Sequence, residues 1–212
     1  AVKRLKLLPG DRVLVAGQGP IGLMFTKILQ LRGLRVLATD LLESRLQLAK
    51  KFGARWTGLA SDLASHDTRH ASPLDAAIIA VPSDAAVTQA MQLIRGGGQI
   101  LLFAHTKRAG QVGRASPLRA ASQISDGAHG VTRPTASPLD LASICVDEKD
   151  LIGSYSSDFT LQAEVARLVF SRQLDVRRLI THQFPLAETA SAVVLAAQPT
   201  EASLKIMVAV AG

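Results

Sequence analysis

A chain of 212 residues is long enough to bury a hydrophobic core of its own. Its composition, 48% hydrophobic and 4% aromatic, is typical of a soluble α/β protein, and no apolar run approaches the ~20 residues that span a bilayer. The single cysteine, Cys145, excludes internal disulfides and a cysteine-rich zinc cluster, and we expect it to be buried or half-buried in a cytoplasmic protein. Residue 1 is Ala and not Met, so we expect a piece of a longer chain.

The net charge of +7 is unevenly distributed. Residues 105–138 carry five basic residues and a single acidic residue, Asp126. This segment therefore supplies more than half of the net positive charge. The basicity belongs mainly to one segment and says little about a folded core. We therefore expect no nucleic-acid partner, although binding of nucleic acid through this basic segment stays open as a minor alternative.

The first half of the chain alternates strands and helices. A turn at residues 9–11 precedes an apolar strand, and Gly33 and Gly53 are placed to end the two helices that follow. The predicted elements are strand 12–16, helix 20–32, strand 35–39, helix 42–52, a weak strand 55–58 and a helix 61–70.

The alternation continues in the second half. Ser83 is a suitable N-cap residue for a helix that reaches Arg95, and the three glycines at 96–98 predict a turn. The predicted strands are 76–81, 99–104 and 150–154, followed by a helix at 161–172. Strands that alternate with helices form right-handed crossovers, so we predict a Rossmann fold: a doubly wound, parallel six-stranded sheet with helices on both faces.

Residues 178–181, 186–197 and 203–210 predict a strand, a helix and a strand after that sheet is complete. Strands left over from a finished sheet need another partner. We therefore predict a linker at residues 1–10, a Rossmann domain at 11–176 and a C-terminal segment at 177–212 that pairs elsewhere.

A glycine-rich turn joins the first strand to the first helix. It reads Gly17-Gln18-Gly19-Pro20-Ile21-Gly22. Gly17 permits the tight turn, Gly19 lets the backbone approach a pyrophosphate, and Gly22 allows the helix to pack against the sheet. Pro20 suits the first helical turn because its missing N–H has no partner there. The helix start then offers N–H groups and a positive dipole end to phosphates.

An acidic residue, Asp40, ends the second strand 18 positions after Gly22. A carboxylate there accepts hydrogen bonds from ribose hydroxyls and repels a 2′-phosphate, so we predict NAD(H) as the cofactor. Arg45 is a candidate phosphate contact, but one helical turn after Asp40 it is expected to point outward. A structural glycine turn without a ligand is the competing interpretation.

Other candidate site residues follow later strands. Val81 and Ala104 end successive strands at the edge where cofactors lie in open α/β sheets, and their backbone is a candidate contact to adenine or nicotinamide. His105 is a possible proton shuttle but fits a loop histidine better. His66, His70 and His129 lack companions at metal-ligand spacing and are interpreted as surface residues.

Several segments together resemble the cofactor-binding half of zinc-dependent medium-chain dehydrogenases, with the sorbitol and threonine dehydrogenase branch closest. The segments that carry this resemblance are residues 10–23, 38–49, 51–54, 97–101, 151–155, 179–186 and 204–208. The resemblance covers nearly everything outside roughly residues 107–138.

The resemblance implies hydride transfer between a secondary alcohol or polyol and NAD. It implies a second, N-terminal domain that binds catalytic zinc through Cys, His and Glu ligands, none of which can be placed here, so we expect this chain alone to be inactive. It also implies that strands 178–181 and 203–210 pair with that catalytic domain and that Lys205 lies near the pyrophosphate. The sheet edge at residues 151–155 is then expected to form the subunit interface of a homo-oligomer.

Residues 107–138 depart from that pattern. The segment is rich in small and polar residues, which predicts a mobile loop. Ala115-Ser-Pro-Leu118 recurs as Ala136-Ser-Pro-Leu139, so we interpret about 21 residues as an insertion beside the expected nicotinamide site. Two other interpretations compete with the one that assigns this chain to half of a dehydrogenase. The first is a stand-alone or decayed nucleotide-binding module, and the second is a methyltransferase that uses S-adenosylmethionine. The helix start and the tail segments argue against the methyltransferase.

Overall fold

The computed structural model describes residues 1–63, 73–104, 139–155 and 158–210. Four of the histidines considered above (His66, His70, His105 and His129), most of the predicted helix 61–70 and the predicted insertion lie outside the described residues.

Six parallel strands form the main sheet in the order β3-β2-β1-β4-β5-β6. This order is that of a doubly wound Rossmann sheet, in which the chain starts in the middle and builds outward to each edge. The strands are β1 (Arg12–Ala16), β2 (Arg35–Asp40), β3 (Trp56–Leu59), β4 (Leu74–Ile79), β5 (Ile94–Leu102) and β6 (Asp150–Gly153). The prediction of a parallel six-stranded sheet is confirmed.

Helices connect these strands. They are α1 (Pro20–Leu31), α2 (Glu43–Lys51), α3 (Asp84–Leu93), α4 (Leu141–Cys145) and α5 (Gln162–Phe170). Ser83 caps α3 as predicted, because its hydroxyl accepts a hydrogen bond from the Ala86 N–H. The short helix α4 was not predicted. It ends at Cys145, which is exposed, so the expectation that this cysteine is buried or half-buried is wrong.

The sheet separates two apolar layers, as alternate side chains of a strand point to opposite faces. On one face Val13 and Val15 pack with Phe25 and Leu29 of α1. On the other face Leu14 belongs to a cluster that includes α3. Helices therefore cover both faces of the sheet, as the sequence predicts.

The glycines at 96–98 are not a turn that precedes a strand. They lie inside β5, where the pairing with β4 is irregular between Leu74 and Ala76 and Gly97 has a φ of 67°. A side chain at Gly98 would approach the Asp75 carbonyl oxygen to 2.9 Å, so close packing against β4 requires glycine there. The strand consequently begins at Ile94, five residues earlier than predicted.

The C-terminal segment forms a second sheet of two parallel strands, β7 (Ile180–Pro185) and β8 (Lys205–Ala209), connected by α6 (Thr189–Ala197). The expectation that both C-terminal strands need a partner outside this segment is wrong, because they pair with each other. Leu179 and Leu204, at the starts of these strands, pack in a cluster with Leu23 of α1 and Phe52 after α2. Among the described residues no helix is long and apolar enough to cross a membrane.

Candidate nucleotide-binding site

The glycine-rich turn leaves β1 at the carboxyl edge of the sheet. Gly17 has a φ of 92°, a left-handed conformation that favours glycine, and its N–H donates to the Thr39 carbonyl at 2.8 Å. A side chain at Gly17 would meet Val81 Cγ1 at 2.2 Å. The turn is therefore fixed against both neighbouring strands and is too tight for any other residue at this position.

Gly22 and Gly19 differ in the space around them. A Cβ at Gly22 would lie 1.8 Å from the Gly17 carbonyl oxygen and 3.8 Å from Ala80 Cβ. Glycine is thus required at position 22 because the helix lies directly against the turn, whereas the distance to Ala80 would leave room for a Cβ. A Cβ at Gly19 would meet no atom within 4 Å, so the backbone there borders open space.

The start of α1 faces that space. Gly19 is the N-cap residue and offers no side-chain cap, and Pro20 stands at the first helical position. Ile21 is 41% exposed. The N–H groups of a first helical turn have no partners inside the helix, and the helix dipole places partial positive charge there. The geometry is suited to an anion such as a phosphate.

Asp40 holds the turn from the end of β2. Its Oδ2 accepts a hydrogen bond from the Gln18 N–H at 2.6 Å, and its Oδ1 accepts from the N–H groups of Leu41 at 2.8 Å and Leu42 at 3.0 Å. The residue is only 8% exposed. The carboxylate thus has a fixed orientation at the turn, because both of its oxygens accept hydrogen bonds from backbone N–H groups there.

Arg45 does not point outward as expected. Its guanidinium Nη1 lies 3.9 Å from Asp40 Oδ2, and its side chain is 27% exposed. Arg45 Nε is buried and has no hydrogen-bond partner among the described residues. The start of α2 carries the arginine back toward the carboxylate, because residues one turn into the helix lie over the strand end that precedes it.

Sequence reasoning missed the role of Gln18. The side chain is fully buried, its Nε2 donates to the Val15 carbonyl at 2.9 Å, and its Oε1 accepts from the Thr26 hydroxyl at 3.0 Å. Gln18 therefore joins β1, the turn and α1. The glycine motif specifies no residue type at this position, so only the packing reveals the buried amide.

The remaining predicted residues lie in three places. Val81 follows β4 and packs beside Gly17, and Ala104 follows β5 and donates its N–H to the Ile79 carbonyl at 3.1 Å. Lys205 is exposed at the start of β8, in register with Ile180 in the second sheet. The structure brings Gly17, Val81 and Asp40 to one edge of the sheet, while Lys205 belongs to a different element.

In the described part of the chain no three His, Cys, Asp or Glu residues are grouped so that they could hold a metal ion.

The strand order and the turn define a Rossmann-type α/β domain. Residues 20–125, half of the chain, match the sequence model of the zinc-binding dehydrogenase family. The chain belongs to that family, which confirms the resemblance read from the sequence.

The relatives are longer than this chain. It is 26% identical over 201 residues to sorbitol dehydrogenase of Gallus gallus, covering 91% of this chain and 48% of the relative. It is 26% identical over 213 residues to sorbitol dehydrogenase of Bacillus subtilis, covering 98% of this chain and 53% of the relative. The chain thus spans about half the length of the curated relatives it matches.

Solved structures show the same fold. An alcohol dehydrogenase from Escherichia coli CFT073, determined with NADH, superimposes with a TM-score of 0.77 at 20% identity. The match covers 97% of this chain and 54% of the other.

Proposed function

We propose that this chain is the NAD(H)-binding half of a zinc-type medium-chain dehydrogenase. The observation that carries the proposal is the open space at Gly19, bordered by the start of α1 and by a turn to which Asp40 is hydrogen-bonded. A dinucleotide needs these groups together: N–H donors for the pyrophosphate and a carboxylate for the adenosine ribose.

Each residue of the site has a role in this proposal. Gly17 and Gly22 shape the turn, Gly19, Pro20 and Ile21 border the phosphates, and Asp40 accepts hydrogen bonds from the ribose hydroxyls. Arg45, beside Asp40, borders the same end of the cofactor, and Val81 and Ala104 border its path along the sheet edge. We assign Lys205 a contact with the pyrophosphate.

The reaction we propose for the whole protein is hydride transfer between a secondary alcohol or polyol and NAD. Bound NAD supplies the hydride acceptor. The residues of this chain bind and orient it, and the catalytic zinc and the substrate pocket belong to a domain that this chain does not supply. We further propose a cytoplasmic homo-oligomer without nucleic-acid or membrane partners.

A nucleotide-binding module without catalysis is the second candidate. The bonds that hold the turn, at Gln18, Thr39 and Asp40, all lie within this chain, so the shape of the turn does not depend on a second domain. That independence favours a module able to bind a nucleotide by itself.

Fluorescence titration of the purified chain with NADH and NADPH tests the proposal. We expect NADH to bind at least tenfold more tightly, because the Asp40 carboxylate repels a 2′-phosphate. Equal affinities would show that Asp40 does not select the cofactor and would favour Arg45 as the selecting residue. Absence of NADH binding, or saturable binding of S-adenosylmethionine in its place, would overturn the assignment.

A further inference from the structure

A pocket of about 340 Å³ lies away from the glycine-rich turn. Its walls come from the middle of α1, from the end of α2 and from the residues that follow α5. Because α2 runs back from the carboxyl edge of β2 to the start of β3, its last residue lies toward the opposite, amino edge of the sheet. The pocket is therefore separate from the proposed dinucleotide site.

The lining of this pocket is strongly cationic. Five basic residues face one acidic residue among the described residues that line it: Lys27, Lys51, Arg172, Arg177, Arg178 and Asp175. The buried ring of Phe52 lies among them. Like charges gathered around one concavity repel each other and raise the local concentration of anions.

Asp175 offsets only part of that charge. It forms a two-pronged pair with Arg177, at 2.8 and 3.1 Å, and lies 3.6 Å from Arg178. The hydrogen bond from Arg177 holds the pKa of Asp175 below its ordinary value, so the carboxylate is ionised at neutral pH. Lys27 donates to the neutral Gln30 side chain at 2.8 Å, so its charge is not compensated by that contact.

Arg172 stands where a glycine is usual. It follows the C-cap of α5 and has a φ of 60°, a left-handed conformation that disfavours residues with a side chain. The chain thus holds an arginine in an unfavourable backbone conformation in the wall of a cationic pocket. Backbone outliers of this kind concentrate at functional sites.

We propose that this pocket binds a small anion that carries two or more phosphate groups. Its volume is within the range of small-molecule sites, about 300–1,000 Å³. An arginine guanidinium group binds two phosphate oxygens at once, and a lysine adds a point charge. Three arginines and two lysines around one cavity therefore suit a ligand with several phosphate groups better than a ligand with a single carboxylate.

Calorimetric titration of the purified 212-residue chain with tripolyphosphate tests the proposal, in the presence of saturating NADH so that the glycine-rich turn is blocked. We expect saturable binding that weakens as salt is raised. Lys51→Gln should weaken it at least fivefold, whereas Lys50→Gln, the same charge change on the neighbouring exposed residue outside the pocket, should have little effect.

Arg172→Gly separates binding from folding. Glycine tolerates the left-handed conformation, so the variant should melt at the same or a higher temperature and still bind the anion at least fivefold more weakly. Unchanged affinity in Arg172→Gly, equal losses in the Lys50 and Lys51 variants, or no saturable binding at millimolar tripolyphosphate would each overturn the proposal.

Discussion

At the scale of single residues, Gly19 and Gly22 are both glycine for different reasons. At Gly22 a side chain would collide with the Gly17 carbonyl oxygen at 1.8 Å, whereas at Gly19 it would enter open space. Gly22 is therefore required for folding, whereas we propose that Gly19 leaves room for the ligand. Substitution can separate these roles.

We expect Gly22→Ala to destabilise the chain by at least ~1–3 kcal/mol, the usual cost of overpacking, and to abolish NADH binding. Gly19→Ala should change the free energy of unfolding by less than about 1 kcal/mol, because its φ of −65° suits alanine. It should nevertheless weaken NADH binding, since the new methyl group occupies the space proposed for the pyrophosphate. Denaturant unfolding and fluorescence titration measure the two effects, and a Gly19→Ala variant with unchanged affinity would contradict this placement.

We expect Asp40 to combine the structural role seen here with a role in binding the cofactor. A hydrogen bond to a charged group contributes roughly 1.5–3 kcal/mol, so loss of the ribose contact in Asp40→Ala should weaken NADH binding about 10- to 100-fold while NADPH binding barely changes. Because the carboxylate also accepts from Gln18, Leu41 and Leu42, the variant should be less stable as well. The ratio of NADH to NADPH affinity therefore carries the test. Loss of both affinities in parallel would mean that Asp40 acts only by holding the turn.

At the scale of elements, Asp75 joins three strands. It lies on β4, accepts a hydrogen bond from the Arg12 N–H of β1 at 2.8 Å, and pairs with Arg95 of β5 at 2.8 Å. Burial by itself raises the pKa of Asp75, but the hydrogen bond from Arg95, with support from Arg12, outweighs burial and leaves the pKa below its ordinary 3.8.

Asp75→Asn should therefore lower the melting temperature at neutral pH. The folded pKa is depressed, so the stability that the carboxylate contributes is fully present above pH 3.8 and is lost as the pH falls through the lower folded pKa. The difference in melting temperature between the variant and the unmodified chain should stay constant from pH 7 to about 5 and shrink below about 4. Thermal melts across this range measure it, and a difference independent of pH would contradict the role of the charge.

The second sheet leaves apolar side chains exposed. Met207 of β8 is 41% exposed, Val193 and Val194 of α6 are 60% and 63% exposed, and Val210 is 78% exposed. Exposed apolar groups next to a two-stranded sheet favour association. We expect oligomers that grow with concentration and shrink in Met207→Lys or when residues 203–212 are removed. Light scattering checks this, and a monomer at high concentration in the unmodified chain would contradict it.

At the scale of the whole molecule, binding and turnover should be separable. We expect the 212-residue chain to bind NADH and to oxidise no secondary alcohol or polyol, with or without added zinc. The reason is that the proposed cofactor site consists of residues of this chain, whereas the proposed substrate pocket requires a second domain. Absorbance of newly formed NADH measures turnover. Zinc-dependent oxidation by this chain would contradict the proposal, and turnover on addition of a separately produced catalytic half would support it.

The local features of the fold could be predicted from the sequence. The predicted bounds of β1, α1 and β2 agree with the structure to within one residue, because hydrophobic periodicity and the glycine-rich turn act over a few neighbouring residues. Asp40 was identified for the same reason, since it ends a predicted strand at a regular interval from the turn.

Other features depend on contacts between distant segments. The inclusion of residues 94–98 in β5 is decided by pairing with β4. The pairing of β8 with β7 joins residues that lie more than 20 positions apart in the chain. Arg45 lies beside Asp40, and not outward, because the start of α2 packs over the end of β2. The burial of Gln18 follows from the same close packing. The sequence by itself determined the alternation of elements and the glycine turn, which local backbone and hydrophobic preferences specify. Only the tertiary structure decided the second sheet, the position of Arg45 and the cationic pocket, since each of these forms when segments far apart in the chain come into contact.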